Sequence, residues 1–338
     1  MSSNQVKVLI TIPSNLYKLV SRDEDEEELR SFAECIFNPF NRNLSEEELS
    51  KLIADVDGCI TSWGSPKFTE VVLKNANKLK IIGHAAGSVK PYITDEVFKK
   101  GVVVVNAAST IAKSVAEFTL AMILNCLRGI PKYIEAMDKK NWDYKEQKGF
   151  TTYDLRGKII GIIGFGVVAK ELVNLLKPFD VNIIVYDPYS EPKEIALHGA
   201  KKVELSELLL TSDIISLHAA STPETYHMLG EKEFRLMKST AYVINTSRGA
   251  NIDEKALAKA LREKWIAGAA LDVFEQEPLQ SDSPLYKLDN VFLTPHIAGP
   301  SDERRSQLFG TIVKDFKRFF SGERPINEVS YEKLKFLA

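Results

Sequence analysis

An arginine, two glutamates and a histidine late in the chain are of the types that carbonyl chemistry on an acid requires. Arg248 lies in Val243-Ile244-Asn245-Thr246-Ser247-Arg248-Gly249, an apolar run that enters a polar loop. A guanidinium offers a carboxylate a planar fork, so Arg248 can anchor an acid and polarise its carbonyl. His296 lies in Leu293-Thr294-Pro295-His296-Ile297-Ala298-Gly299. A carbonyl that accepts a hydride also needs a proton, which an imidazolium can give. A carboxylate beside the ring favours that protonated form. Glu275 and Glu277, in Asp272-Val273-Phe274-Glu275-Gln276-Glu277-Pro278, both have the type for this task, and residue type does not rank them. A lone histidine after a strand proves little, and a loop arginine is often a plain ion-pair partner.

A second constellation fits a nucleotide. Ile159-Ile160-Gly161-Ile162-Ile163-Gly164-Phe165-Gly166-Val167-Val168-Ala169 reads as a buried strand, a GxGxx(G/A) turn and a helix start. Gly164 permits the tight turn, Gly166 lets backbone approach a pyrophosphate, and Ala169 lets helix and strand pack closely. The first amides of the helix and its dipole then hold the anion. The next apolar run ends in Val185-Tyr186-Asp187, with Asp187 18 residues after Ala169. A carboxylate there accepts ribose hydroxyls and repels a 2′-phosphate, so NAD is expected over NADP. The competing reading is that Asp187 only makes a turn before Pro188.

These residues need sheets to hold them. Short β-branched runs alternate with helical patterns, the mark of parallel sheets built from βαβ units. One series of strands is expected at 6–12, 58–61, 79–82 and 102–106. A second follows at 159–163, 182–186, 214–217, 241–245, 267–272 and 291–294. Ser45 with Glu48 and Ser114 with Glu117 have capping-box spacing, and each is expected to open a helix. The second helix is apolar on most sides until Gly129-Ile130-Pro131, which suits burial between domains or subunits. A last helix is expected over 302–320.

Composition narrows the partners. The 338 residues suit two domains, and 44% hydrophobic with 27% charged residues suits a globular core. Forty-four basic against 46 acidic residues leave no field for nucleic acid. The acidic run 23–28 reads as a solvated face or loop. Three cysteines without CxxC spacing support neither a metal site nor a disulfide framework, and fit a reducing cytoplasm. The first apolar stretch is too short for a membrane span or signal core, so no membrane partner is expected.

The segments GIIGFGVVA, VYDP, DIISLH, INTSRG, ALDVFEQEPL and TPHIAG, with SVAEFTLAMIL and FFSGERPINEV, resemble the D-isomer-specific 2-hydroxyacid dehydrogenases in order and spacing from about Ala54 onward. The resemblance implies an α/β fold of two doubly wound parallel-sheet domains. A Rossmann NAD-binding domain (108–301) would be inserted in a flavodoxin-like substrate domain (1–107 and 302–338). It implies that Arg248, Glu277 and His296 are catalytic, selecting Glu277 over Glu275. Further cofactor positions would be Gly164, Gly166, Val167, Val168, Asp187, Pro188, His218, Ala219, Thr225, Thr246, Ser247 and Gly299, with Asp272 near the nicotinamide carboxamide. For His218, a structural strand-end role stays open. A small 2-oxo acid would be the substrate, and the helix from Ser114 would pack in a homodimer.

The substrate loop departs from the family pattern, reading His84-Ala85-Ala86-Gly87-Ser88-Val89-Lys90. Ala86, Gly87 and Ser88 can still hold a carboxylate, because that contact uses main-chain amides. Lys90 stands where an aspartate is common, which leaves the identity of the acid open. The expected activity is NADH-linked reduction of a 2-oxo acid. The alternatives are a phosphoglycerate-type dehydrogenase and an NADH-sensing, corepressor-like binding protein.

Overall fold

A computed structural model describes residues 5–148 and 151–334. The chain divides into two compact units, one formed by Val115–Gly299 and the other by the chain on either side of it. The divisions fall at Ser114/Val115 and Gly299/Pro300, against 107/108 and 301/302 expected from sequence. Each unit is a parallel α/β sheet.

The first unit orders its strands β2-β1-β3-β4-β5: β1 (Val6–Ile10), β2 (Ala33–Phe37), β3 (Gly58–Thr61), β4 (Ile81–His84) and β5 (Val103–Asn106). This is the flavodoxin-like order. The central strands are buried on both faces, which is why they read as unbroken apolar runs. Helix Leu308–Phe320 covers one face, placing Leu308, Phe309, Ile312, Val313 and Phe316 against Val8, Ile10, Ile60 and Ile81.

The second unit orders its seven strands β12-β11-β10-β9-β6-β7-β8. They are β6 (Ile159–Ile163), β7 (Asn182–Tyr186), β8 (Lys201–Lys202), β9 (Ile214–Leu217), β10 (Tyr242–Asn245), β11 (Gly268–Leu271) and β12 (Val291–Leu293). The order reverses at β6, where its neighbours are β7 and β9. Doubly wound sheets bind ligands at this switch point, outside the carboxyl ends of the strands.

Several expectations are corrected. The first strand stops at Ile10, and the strand expected at 79–82 runs from Ile81 to His84. Edge strands β2 and β8 were not expected, because their mixed polarity hides the alternation. Ser45 does open a helix with a complete capping box to Glu48. Ser114 does not. The helix runs from Ala108 to Arg128, and Asn106 Oδ1 accepts from the Ala108 amide at its start. That helix is long and apolar enough to cross a membrane. Its Ala116, Ile123, Cys126 and Leu127 are instead part of the core beside β6. The last helix breaks in two, Asp302–Arg305 and Leu308–Phe320. In the acidic run, helix Asp23–Arg30 turns Asp25 inward to 3% exposure, with Arg22 donating to both its oxygens.

Candidate active site

β12, β11 and β10 are parallel neighbours, so the loops after them emerge at one end of the sheet. Arg248 lies three residues beyond β10, Asp272 directly beyond β11 and His296 three residues beyond β12. Asn245 shapes the first loop. Its Oδ1 accepts from the Ser247 amide (3.0 Å) and hydroxyl (2.9 Å), and its Nδ2 donates to the Arg248 carbonyl (2.9 Å). Gly249 follows where the chain presses on the next loop, since a Cβ there would lie 1.8 Å from the Phe274 carbonyl carbon.

Arg248 is half-buried. Burial pushes its guanidinium down from its ordinary value, with the Glu277 charge opposing. Its Nη1 donates to the Ser247 carbonyl at 2.6 Å, and among the described residues it forms no ion pair. It lines a cavity of about 310 Å³ together with Ser221, Glu275, Glu277 and His296. A half-desolvated cation that forms no ion pair among the described residues and lines a cavity can take an anion.

His296 Nδ1 lies 2.6 Å from Glu277 Oε2, while Glu277 Oε1 accepts from the Phe274 amide at 3.1 Å. The histidine backbone has φ +53°, a left-handed conformation that an L-residue adopts at a cost. Buried Asp272 enforces it. Its carbonyl accepts from the His296 amide (2.9 Å), and its carboxylate takes Thr294 Oγ1 (2.6 Å) and the amides of Ile297 (2.9 Å) and Ala298 (2.8 Å). The two glutamates that residue type could not rank are separated here. Glu277 meets His296, whereas Glu275 meets His227 at 2.7 Å and Tyr226 at 3.2 Å.

The nucleotide motif forms the turn its glycines predict. Gly164 has φ +87°, and a Cβ there would come within 2.7 Å of the Ala219 amide nitrogen. Gly166, by contrast, faces open space where a Cβ would protrude. Helix Val167–Leu176 begins directly after it, with Val167 exposed and Ala169 buried. Open space above a glycine at the start of a ten-residue helix fits a pyrophosphate. Asp187 makes the turn before Pro188 that was its competing reading. Oδ1 accepts from the amides of Tyr189 (2.8 Å) and Ser190 (2.9 Å), shaping the turn around Pro188, and Oδ2 accepts from Phe165 (2.6 Å). With two acceptor positions per oxygen, Oδ2 has room for one further donor.

The other expected contacts are largely occupied within the protein. Thr225 donates to the Ala220 carbonyl at 2.6 Å, and Thr246 bonds to Thr119 at 2.8 Å. Because the Thr119 hydroxyl already donates to the Val115 carbonyl, Thr246 is the donor. His218 Nε2 pairs with Ser216 Oγ at 2.9 Å, and burial pushes its ring down to about 4, so it is neutral. Gly299 closes the loop after His296, with open space at its Cβ position.

Ala86, Gly87 and Ser88 belong to the first unit, beyond β4. The Ala86 amide is spent on the His84 carbonyl (2.7 Å), and Gly87 O accepts from Asn106 Nδ2 (2.9 Å). Among the described residues the amides of Gly87 and Ser88 have no partner in the chain, so they can receive a carboxylate. Sequence reasoning missed Asn245, Gly249, Ser221 and the His227–Glu275 pair. Only Gly249, a glycine directly after the arginine, carried a local signal.

A doubly wound sheet with a glycine turn at its switch point is the arrangement of a dinucleotide-binding domain. Residues 120–298 match the family model described as D-isomer specific 2-hydroxyacid dehydrogenase, NAD binding domain. Over 85% of its length the chain is 39% identical to a glyoxylate reductase from Thermococcus litoralis, covering 87% of that protein. It is 42% identical to a D-3-phosphoglycerate dehydrogenase from Methanocaldococcus jannaschii, again over 85% of this chain but spanning only 54% of the relative's length. A crystal structure of a Pyrococcus horikoshii protein superposes with a TM-score of 0.79 at 30% identity, covering 98% of this chain and 96% of that one. The chain belongs to the D-isomer specific 2-hydroxyacid dehydrogenase family, and it is an NAD-dependent oxidoreductase of 2-hydroxy acids.

Proposed function

We propose that the chain reduces a small 2-oxo acid of the glyoxylate class to the D-hydroxy acid (for glyoxylate itself, to achiral glycolate), with Arg248 binding the acid and His296–Glu277 supplying the proton. The observation that carries this is one cavity lined by a half-buried arginine without an ion pair and a histidine held 2.6 Å from a carboxylate. Bound NADH supplies the hydride. The Arg248 fork takes the substrate carboxylate and draws electron density from the adjacent carbonyl. His296 gives its Nε2 proton to the carbonyl oxygen, and Glu277, bonded at Nδ1, fixes the ring. In the oxidative direction the same nitrogen takes the proton back. Family membership and the glyoxylate reductase relatives support the small substrate. Supplying NADH with glyoxylate, pyruvate, hydroxypyruvate, phenylpyruvate and 2-oxoglutarate tests it, with glyoxylate or hydroxypyruvate expected to turn over fastest. Faster oxidation of 3-phosphoglycerate with NAD than reduction of any of these acids would favour the phosphoglycerate reading. NADH binding without turnover of any acid would favour the sensor.

Asp187 is proposed to read the ribose. Asp187→Ala removes a charge-assisted hydrogen bond, a loss on the order of 10- to 100-fold in NADH affinity. It also frees the turn at Phe165, Tyr189 and Ser190, which would weaken NADH and NADPH alike. The ratio of the two dissociation constants therefore isolates the ribose contact and is expected to shrink. An unchanged ratio would remove Asp187 from cofactor selection.

The chain is further proposed to act as a homodimer in the cytoplasm. Helix Ile130–Asp138 exposes Ile130, Ile134 and Met137 at 43, 57 and 52%, a row at helical spacing followed by Trp142 at 80%. An apolar row of this kind calls for cover, and a second copy offers the same row about a two-fold axis. Ile134→Asp is expected to convert the dimer to a monomer in light scattering. A wild-type monomer at micromolar concentration would end that proposal. The three unpaired cysteines support the reducing compartment, and burial pushes the Cys59 and Cys126 thiols far up, away from reactivity.

A further inference from the structure

Beside the His296–Glu277 pair lies a second histidine–glutamate pair that the proposed chemistry does not use. His227 Nε2 donates to Glu275 Oε1 at 2.7 Å, and the Tyr226 hydroxyl donates to the same oxygen at 3.2 Å. The Tyr226 and His227 rings stack at 3.9 Å with 15° between their planes. Glu254 closes the cluster from behind, its Oε1 accepting from the Glu275 amide at 2.5 Å, so both the side chain and the backbone of Glu275 are held.

This cluster touches both halves of the candidate site. His227 has φ +50°, and its amide donates to the Ala250 carbonyl at 2.8 Å, within the turn Gly249–Asn251 that follows Arg248. Its ring grips Glu275, within the turn whose next acid, Glu277, reaches His296. The Glu277 side chain bonds back to the Phe274 amide, so the turn 274–277 is one closed unit. Gly249 packs directly on the Phe274 carbonyl, and any shift of one turn therefore moves the other. Both partners are partly exposed, with 30% and 36% of their side-chain surfaces open. A half-exposed pair of this kind adds little to global stability. Its two left-handed or stacked residues are better accounted for by placement than by stability.

We propose that His227 is a positioning residue. It clamps Glu275, and through the main chain of 274–277 it sets Glu277 on His296 and both at a fixed separation from the Arg248 turn. The inference rests on the proposed roles of Arg248, Glu277 and His296.

The test measures kcat, KM and NADH affinity of the full-length protein carrying H227A, E275A, E275Q or H227A/E275A, with H296A alongside. Misplacement by about 1 Å costs on the order of 10²-fold in rate. H227A and E275A are therefore expected to lower kcat by about 10- to 100-fold while NADH affinity stays within about twofold of wild type. E275Q keeps an oxygen acceptor for His227 and is expected to retain most of kcat. The double variant should be no slower than the slower single one, because the pair acts as a unit. A kcat for H227A within about twofold of wild type overturns the clamp. So does E275Q as slow as E275A, or a loss of kcat that merely follows a loss of NADH binding. If H296A is inactive while H227A is normal, the clamp alone fails. If H296A turns over normally, the proton-donor reading fails and the clamp with it.

Discussion

His296→Ala is expected to lower kcat for 2-oxo acid reduction by on the order of 10³-fold, within the range that a positioned general acid contributes. The expectation rests on geometry. Nδ1 is committed to Glu277 at 2.6 Å, so Nε2 is the nitrogen left to face the cavity. Without it, charge that develops on the carbonyl oxygen must be met by water. NADH affinity should barely change, because His296 lies on the loop after β12 and the glycine turn follows β6. Glu277→Gln should cost less, since an amide can still orient the ring but leaves the imidazolium without a counter-charge. The double variant should be about as slow as H296A alone, as expected for residues that act together. Stopped-flow NADH oxidation checks all three. Wild-type turnover by H296A would remove the proposed proton donor.

Arg248→Ala should be nearly as severe, with the loss placed differently. Removing one member of a desolvated charge contact costs about 3–5 kcal/mol, on the order of 10³-fold in kcat/KM for the carboxylate substrate. Because the arginine both binds and polarises, KM should rise and kcat fall together. Arg248→Lys should recover only a small part, since an ammonium cannot present two parallel donors to a carboxylate. The variant should fold normally, because Arg248 forms no ion pair among the described residues and its carbonyl contact with Asn245 is main-chain. A KM unchanged from wild type would mean that another group holds the acid.

Much of this is legible in the amino-acid sequence. The strands at 58–61, 159–163, 182–186 and 214–217 coincide with β3, β6, β7 and β9 to the residue. Buried parallel strands are continuous apolar runs ended by turn residues, and that pattern is local. Edge strands lack it. Lys201–Lys202 and Ala33–Phe37 carry polar residues towards solvent and become strands only because a neighbour offers its hydrogen bonds. Capping spacing was informative at Ser45 and misleading at Ser114. The latter lies inside a helix already nucleated six residues earlier by the end of β5.

Sequence by itself determined the chemistry available to this protein: the glycine turn with its aspartate, one arginine, one histidine and two acids, each on a loop after a strand. Such assignments depend on residue type and short spacing, which a chain carries before it folds. Residue type left open which acid meets which histidine; the resemblance selected Glu277 for His296, and only the tertiary structure gave Glu275 to His227. Glu275 and Glu277 are two positions apart on a tight turn and point to different neighbours, one towards His227 and the other towards His296. His227 lies 50 residues before Glu277 in the chain, so only folding brings its side chain to that turn. The left-handed backbone of His296, likewise, follows from Asp272 on the adjacent strand end rather than from any preference of the histidine itself.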